Sequence, residues 1–274
     1  MGLLQRIGTG NWAFCLKESK GNIADGNQLM RDRIARHKIG DKEHVKSGAW
    51  GNSAYAVIDG QIYALRSQFN PFMIQEYAEQ AVELHRKNQD FLWDNVKIEG
   101  KPFRDLVLRQ ADKDEKKKAM HLREVYRLIR QEGYDIASSK LGEPEAEVPI
   151  WEARGIKLAK AYGKILPDYG INSVHVYLPP RNVGNIVRGF WLLRLDRDDG
   201  SSFDCNYGGL YNDFGFVFRG SGKSAGGTPQ KIYKGKVRIS VPSLREVAKY
   251  ARRYVPLAVR KDFEKGLGNL WSRK

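Results

Sequence analysis

Apolar residues recur every three or four positions at Ile74, Tyr77, Ala78, Ala81 and Leu84. That spacing lays one apolar stripe along a single helix face. Asn70-Pro71 precedes the stripe and supplies an N-cap with a first-turn proline, so a helix is predicted to open there. Upstream, Asp25-Gly26 introduces a second helical stretch, Asn27 to Lys38, which Gly40 stops. Arg31, Arg33, Arg36, His37 and Lys38 crowd its end, where the helix dipole favours cations. Between the two helices lies the clearest hairpin signal, Ser53 to Ile58 and Gln61 to Ser67 around Asp59-Gly60. Asp-Gly between β-prone runs suits a type I′ turn.

Phe103 to Leu108 reads as a short strand. Asp112 to Glu132 reads as a charged helix ending at Gly133, with Leu122, Val125, Leu128 and Ile129 inward and Asp112, Asp114 and Glu115 at its positive end. The polar, acidic stretch 138–149 reads as a surface loop or boundary. Downstream the pattern turns β-rich: Ile171 to Leu178, Ile186 to Leu195, Phe214 to Phe218 and Lys236 to Val241 are strand candidates, with Asp199-Gly200 as a turn. Ser243-Leu-Arg-Glu246 is a capping box opening a last helix before Pro256. The prediction is α+β: an antiparallel β-sandwich-like core with helices packed on the outside. A single domain is expected over 1–274, with an N-terminal helical extension around 25–40.

Composition narrows the class. Hydrophobic residues make up 41% and aromatics 11%, which argues against disorder. No apolar run approaches the roughly 18 residues a membrane helix needs, so no membrane partner is expected. The start, Met-Gly-Leu-Leu-Gln-Arg, lacks an h-region, and Arg6 stands where a myristoylation motif wants Ser or Thr. Cys15 and Cys205 are too few for a disulfide framework or a zinc site and read as buried, reduced thiols. Net charge is +15, and Lys231 to Lys274 carries 13 basic against 3 acidic residues. Such an end attracts anionic partners or forms a solvated face.

Candidate chemistry is sparse. Gly220-Ser221-Gly222-Lys223-Ser224 resembles the end of a Walker A loop, but Val217 stands where its first glycine belongs, and a strand-like segment follows. It reads first as a flexible Gly/Ser loop and second as an anion cradle, with Gly220, Gly222, Lys223 and Ser224 around a phosphate or nucleotide. The five histidines, His37, His44, His85, His121 and His175, fit no metal spacing; His85 and His121 read as partly exposed. Asp196, Asp198 and Asp199 read as a polar turn, with a nuclease metal site as the sharper alternative. Tyr207, Tyr211, Phe214, Phe216 and Phe218 read as strand packing before base stacking.

One stretch is more particular. Trp151-Glu152-Ala153-x-Gly155-Ile156-Lys157 is followed by a strand carrying Ser173 and His175 that ends in Leu178-Pro179. This resembles the middle of cypovirus polyhedrin. The resemblance implies a structural protein without catalytic or metal residues, which packs as trimers into a crystal lattice around virus particles. It further implies occlusion bodies in the host-cell cytoplasm, alkaline dissolution and, without requiring a cofactor, a bound nucleotide. Trp151 and Ile156 are then expected to anchor the sheet core. Lys157, Lys160, Tyr162 and Tyr169 become candidates for alkali-sensitive contacts, because Lys and Tyr both titrate near roughly pH 10. The alternative reading is a basic nucleic-acid-binding protein, possibly a metal-dependent nuclease.

Overall fold

The computed structural model describes residues 3–192, 201–207, 210–211 and 216–220. Its strands are β1 (Gln5–Thr9), β2 (Ala49–Ile58), β3 (Gln61–Leu65), β4 (Lys97–Ile98), β5 (Lys101–Pro102), β6 (Val125–Arg127), β7 (Tyr134–Ala137), β8 (Ser173–Tyr177), β9 (Val187–Leu192), β10 (Ser201–Tyr207) and β11 (Phe216–Arg219). The α-helices are α1 (Trp12–Ser19), α2 (Gly26–Lys38), α3 (Lys42–Lys46), α4 (Gln75–Arg86), α5 (Phe103–Glu115), α6 (Glu147–Glu152) and α7 (Ile156–Ile165). Nine of the strands form one sheet in the order β1-β11-β2-β9-β10-β8-β7, with β3 on β2 and β6 on β3. Strands β4 and β5 make a separate ribbon.

The α+β prediction holds, with helices outside a β core. The core is one mixed sheet: β10 runs parallel to β8, and β11 parallel to β2. Strand β2 is long enough to serve β11 at its start and β3 at its end, while β9 pairs along it. Alternation along β2 gives the sheet two buried faces. Tyr55 and Val57 join a cluster with α2, α6 and α7 residues, including Leu29, Met30, Trp151 and Tyr162. Trp50, Ala54, Ala56 and Ile58 join another with α1, α4 and α5 residues, including Trp12, Ala78, Phe103 and Val107.

Several local predictions are realised. Asp25 caps α2 in a full capping box with Gln28. Asp59 and Gly60 have φ of 51° and 72°, as a type I′ turn requires. Asn70 caps a 3₁₀ turn, Pro71–Met73, and α4 begins at Gln75, with Ala78 and Ala81 fully buried.

The segment 103–132 departs from prediction. Phe103 to Leu108 is helix, and the helix ends at Glu115 rather than continuing to Glu132. Asp114 explains the break: it is 0% exposed and accepts the backbone N–H groups of Glu124 and Val125 at 2.6 and 2.9 Å. A buried carboxylate that accepts two amides and the Lys117 ammonium turns the chain back, overriding helical propensity. Val125 then enters β6 and Leu128 is buried, while Leu122 and Ile129 are exposed rather than inward.

The stretch 138–149 is not wholly a polar surface loop. Glu147 is buried and accepts from the Tyr126 hydroxyl at 2.5 Å and from the amides of Ile129 and Arg130 at 2.6 and 3.1 Å. This tethers the loop after β6 to α6. The expected strand Lys236–Val241, the final helix and the Asp196–Gly200 turn lie outside the described residues.

Candidate functional site

Both faces of the sheet are covered at its centre, but not at the β7–β8–β10 end. Ile136, Val174, Val176, Phe203 and Cys205 point into the core with α7. Their neighbours Asp135, Ser173 and Tyr177 are exposed, and His175, Asp204 and Asn206 are half-buried. Strict alternation of this kind marks a sheet that is dry on one side and wet on the other.

Register arranges the wet side in rows. Asp135, His175 and Ser202 are cross-strand partners on β7, β8 and β10. Tyr177, Asp204 and Trp191 are partners on β8, β10 and β9. Directly paired positions lie on the same side of the sheet. Within the first row His175 Nδ1 and Asp135 Oδ1 are 2.9 Å apart. Between rows the His175 and Tyr177 ring centroids are 4.0 Å apart. Trp191 packs edge-on against Trp50 at 5.2 Å, which holds the indole in place.

Asp204 is electrostatically distinctive. Burial pushes its carboxyl up to about 6, against the Asn206 amide and the positive charges of Arg188 and His175. Among the described residues only the Asn206 N–H donates to it, at 2.9 Å. Arg188 is held by Asp90 in a short ion pair. His85, on α4 behind that pair, is 3% exposed rather than partly exposed as predicted. Burial and the Arg188 charge push its imidazole down to about 4, so it is neutral at pH 7.

The row Asp135–His175–Ser202 contains the residue types of a nucleophilic triad at paired backbone positions, but the His175 ring turns toward the start of β7. His175 Nε2 lies against Gly133, 3.4 Å from where a Cβ would sit on that residue. A general base must face its nucleophile. No group of His, Cys, Asp and Glu among the described residues could hold a metal ion, so nothing there supports the nuclease alternative, whose Asp196, Asp198 and Asp199 lie outside the described residues. Cys15 and Cys205 are buried and form no disulfide, as expected. An open groove of about 430 Å³ lies between α1 and α4. Its polar groups bond one another, Arg86 to Glu83 and Gln75 to Glu79, so they do not converge on a ligand.

The Trp151–Lys157 phrase builds a buried polar joint. Arg66 lies 3.6 Å over the Trp151 ring and donates to the Trp151 carbonyl at 2.6 Å. Glu152, 0% exposed, accepts from Ser53 Oγ at 2.6 Å and the Tyr55 hydroxyl at 2.8 Å. Burial raises the Glu152 carboxyl and lowers the Arg66 guanidinium, each opposed by the other's charge. Gly26 passes so close to Glu152 that an added Cβ would sit 2.4 Å from its Oε2. Trp151 therefore anchors the core, but Ile156 does not: at the start of α7 it is 52% exposed. Gly155 N-caps α7 with φ 146°.

The remaining predicted residues are dispersed. Lys157 and Lys160 are exposed. Tyr162 is buried and accepts from Arg33, and Tyr169 bonds His37 at 3.1 Å. Ser173 Oγ donates to the Ile136 carbonyl at 3.3 Å. Gly220 is bound to Asn22 through both its N–H and its carbonyl. Gly222, Lys223 and Ser224 lie outside the described residues. Of the described residues in that set, only Ser173 and His175 reach the polar sheet face. The signal for the rest was the alternation Tyr134-Asp135-Ile136 and Phe203-Asp204-Cys205-Asn206, which places polar side chains opposite a buried set.

No family model matches the chain, and no curated protein matches it. It is similar to a solved structure described as "Accommodation of massive sequence variation in Nanoarchaeota by the C-type lectin fold". The two are 13% identical with a TM-score of 0.46, over 79% of this chain and 95% of that one. No family model supports the polyhedrin resemblance, and the occlusion-body function drawn from it is withdrawn. A seven-residue phrase misled because its Trp, Glu and Gly meet local demands of burial, charge compensation and helix entry.

Proposed function

We propose that the chain is a non-catalytic recognition module whose working surface is the polar face of β7, β8 and β10. One observation carries this reading: on β7, β8 and β10 buried apolar residues alternate with exposed or half-buried polar ones, and register sets Asp135 beside His175 and Tyr177 beside Asp204. Side chains fixed on strands lose little freedom on binding, and aromatic residues among polar ones suit a specific interface. A hydrolytic role lacks support, because His175 is turned away from Ser202's strand.

The test is site-specific photocrosslinking in the source cells, with a benzophenone amino acid at Tyr177 or, as a control, at exposed Glu145. A discrete adduct from position 177, absent from 145 and lost on adding His175→Ala and Asp135→Ala, is the expected result. Equal adducts from both positions, or none from 177, would overturn the proposal.

A further inference from the structure

From the row Tyr177–Asp204–Trp191 we infer that the surface takes a cationic side chain, a lysine ammonium or arginine guanidinium presented by a protein partner. This rests on the recognition reading above. Three adjacent strands place a carboxylate between two aromatic residues at the same level of the sheet. Asp204 receives one backbone N–H and no ion pair among the described residues. Its neighbours are already engaged: the Arg188 guanidinium with Asp90, and the His175 ring with Asp135. Tyr177 is 44% exposed and lines the approach from β8.

A cation meeting this row gains the carboxylate's charge and the negative face of exposed Tyr177, while Trp191, 8% exposed, closes the inner end of the row. It also restores to Asp204 the stabilisation that burial removed. An anionic ligand would face Asp204 and Asp135 with no unengaged cation among the residues named. Binding therefore requires Asp204 ionised and weakens in acid. Burial sets its titration first, opposed by the Asn206 amide on its own strand, Arg188 on β9 and His175 on β8; Arg188 and His175 are themselves paired with Asp90 and with Asp135 on β7.

The experiment is an NMR titration of the ¹⁵N-labelled full chain with three blocked tripeptides, Ac-Ala-X-Ala-NH₂, where X is Lys, Arg or norleucine. Butylamine is a fourth probe. Lys and Arg peptides should shift amides of 175–177 and 203–206, norleucine should not, and Asp204→Asn should weaken the effect at least tenfold. Affinity should also fall at least tenfold from pH 7.5 to 5. Equal shifts with norleucine, or undiminished binding by Asp204→Asn, would overturn the cation inference while leaving a binding face in place. Butylamine binding as tightly as the Lys peptide would overturn the protein side chain as source. No probe shifting these amides, together with no crosslink from position 177, would overturn both readings.

Discussion

Arg66 lays its guanidinium 3.6 Å over the ring of Trp151 and donates to the carbonyl of the same residue. One side chain thus fixes both the indole and the backbone of α6, while its charge offsets buried Glu152. Arg66→Met keeps the volume and removes the charge and the hydrogen bond to the carbonyl. Breaking one half of a buried charge arrangement costs about 3–5 kcal/mol. Urea unfolding should show that loss, and Arg66→Lys should recover little of it, because an ammonium has no flat face to lay on the indole while it donates to the carbonyl. Adding Glu152→Gln to Arg66→Met should restore at least about 1 kcal/mol relative to the sum of the single changes. Strict additivity would mean that the two charges do not communicate.

Asp114 replaces a helix with a turn. Asp114→Ala removes the acceptor for two backbone amides and the Lys117 ammonium. A buried unsatisfied donor costs about 1–3 kcal/mol, so a loss of about 2–4 kcal/mol is expected. Hydrogen exchange should accelerate first at Glu124 and Val125. Uniform acceleration across the sheet would argue against a local tether.

The central hairpin, α2 and the face of α4 were legible because each carries its own local signal: Asp59-Gly60, the Asp25–Gln28 box and the 3.6-residue apolar period. Residues 103–132 were not, because a charged stretch looks helical until a distant amide pair claims Asp114. The same limit hid the site. Tyr177, Trp191 and Asp204 stand 14 and 13 positions apart along the chain, and only strand order brings them into one row. Strand β10 also contains Asp204 and Asn206, which lower strand propensity. Cross-strand register is a tertiary property, and local pattern does not encode it.

Gly163 marks where α7 meets the rest of the core. A Cβ there would lie 2.2 Å from the Ser138 carbonyl and 3.2 Å from Leu141 Cβ. Backbone oxygen cannot rotate aside as a side-chain tip can. Alanine's better helix propensity, about 1 kcal/mol over glycine, is therefore outweighed by overpacking of about 1–3 kcal/mol. Thermal unfolding of Gly163→Ala should show net destabilisation, and an unchanged or higher melting temperature would contradict this packing.

His85 should make stability acid-sensitive. Its folded value is pushed down to about 4 from 6.5, chiefly by burial, and neither ring nitrogen has a partner. Between those values the unfolded chain binds a proton that the folded chain refuses. Stability therefore falls as pH drops from 6.5 toward 4 and is flat in this term above 6.5. His85→Leu should remove that part of the pH dependence without loss at pH 7. Identical pH profiles for the two proteins would show that His85 is solvated.

Asp204 works in the opposite sense, which separates the two groups experimentally. Its folded value is raised from 3.8 to about 6, so the folded chain binds the proton first. As pH falls through 6 toward 3.8 this term adds stability, and above 6 it is a standing cost of ionising a buried carboxyl. Asp204→Asn should remove the cost, so the variant is more stable than the parent at pH 7.5 and the gap narrows by pH 5. The ¹³C carboxyl resonance of Asp204 should titrate near 6. Because Arg188 pulls that value down, Arg188→Gln should move the midpoint upward. A midpoint near 4 in the parent, or a downward shift in Arg188→Gln, would mean that the carboxyl points to open solvent. The row Tyr177–Asp204–Trp191 would then lack the desolvated acceptor on which selective capture of a cation depends.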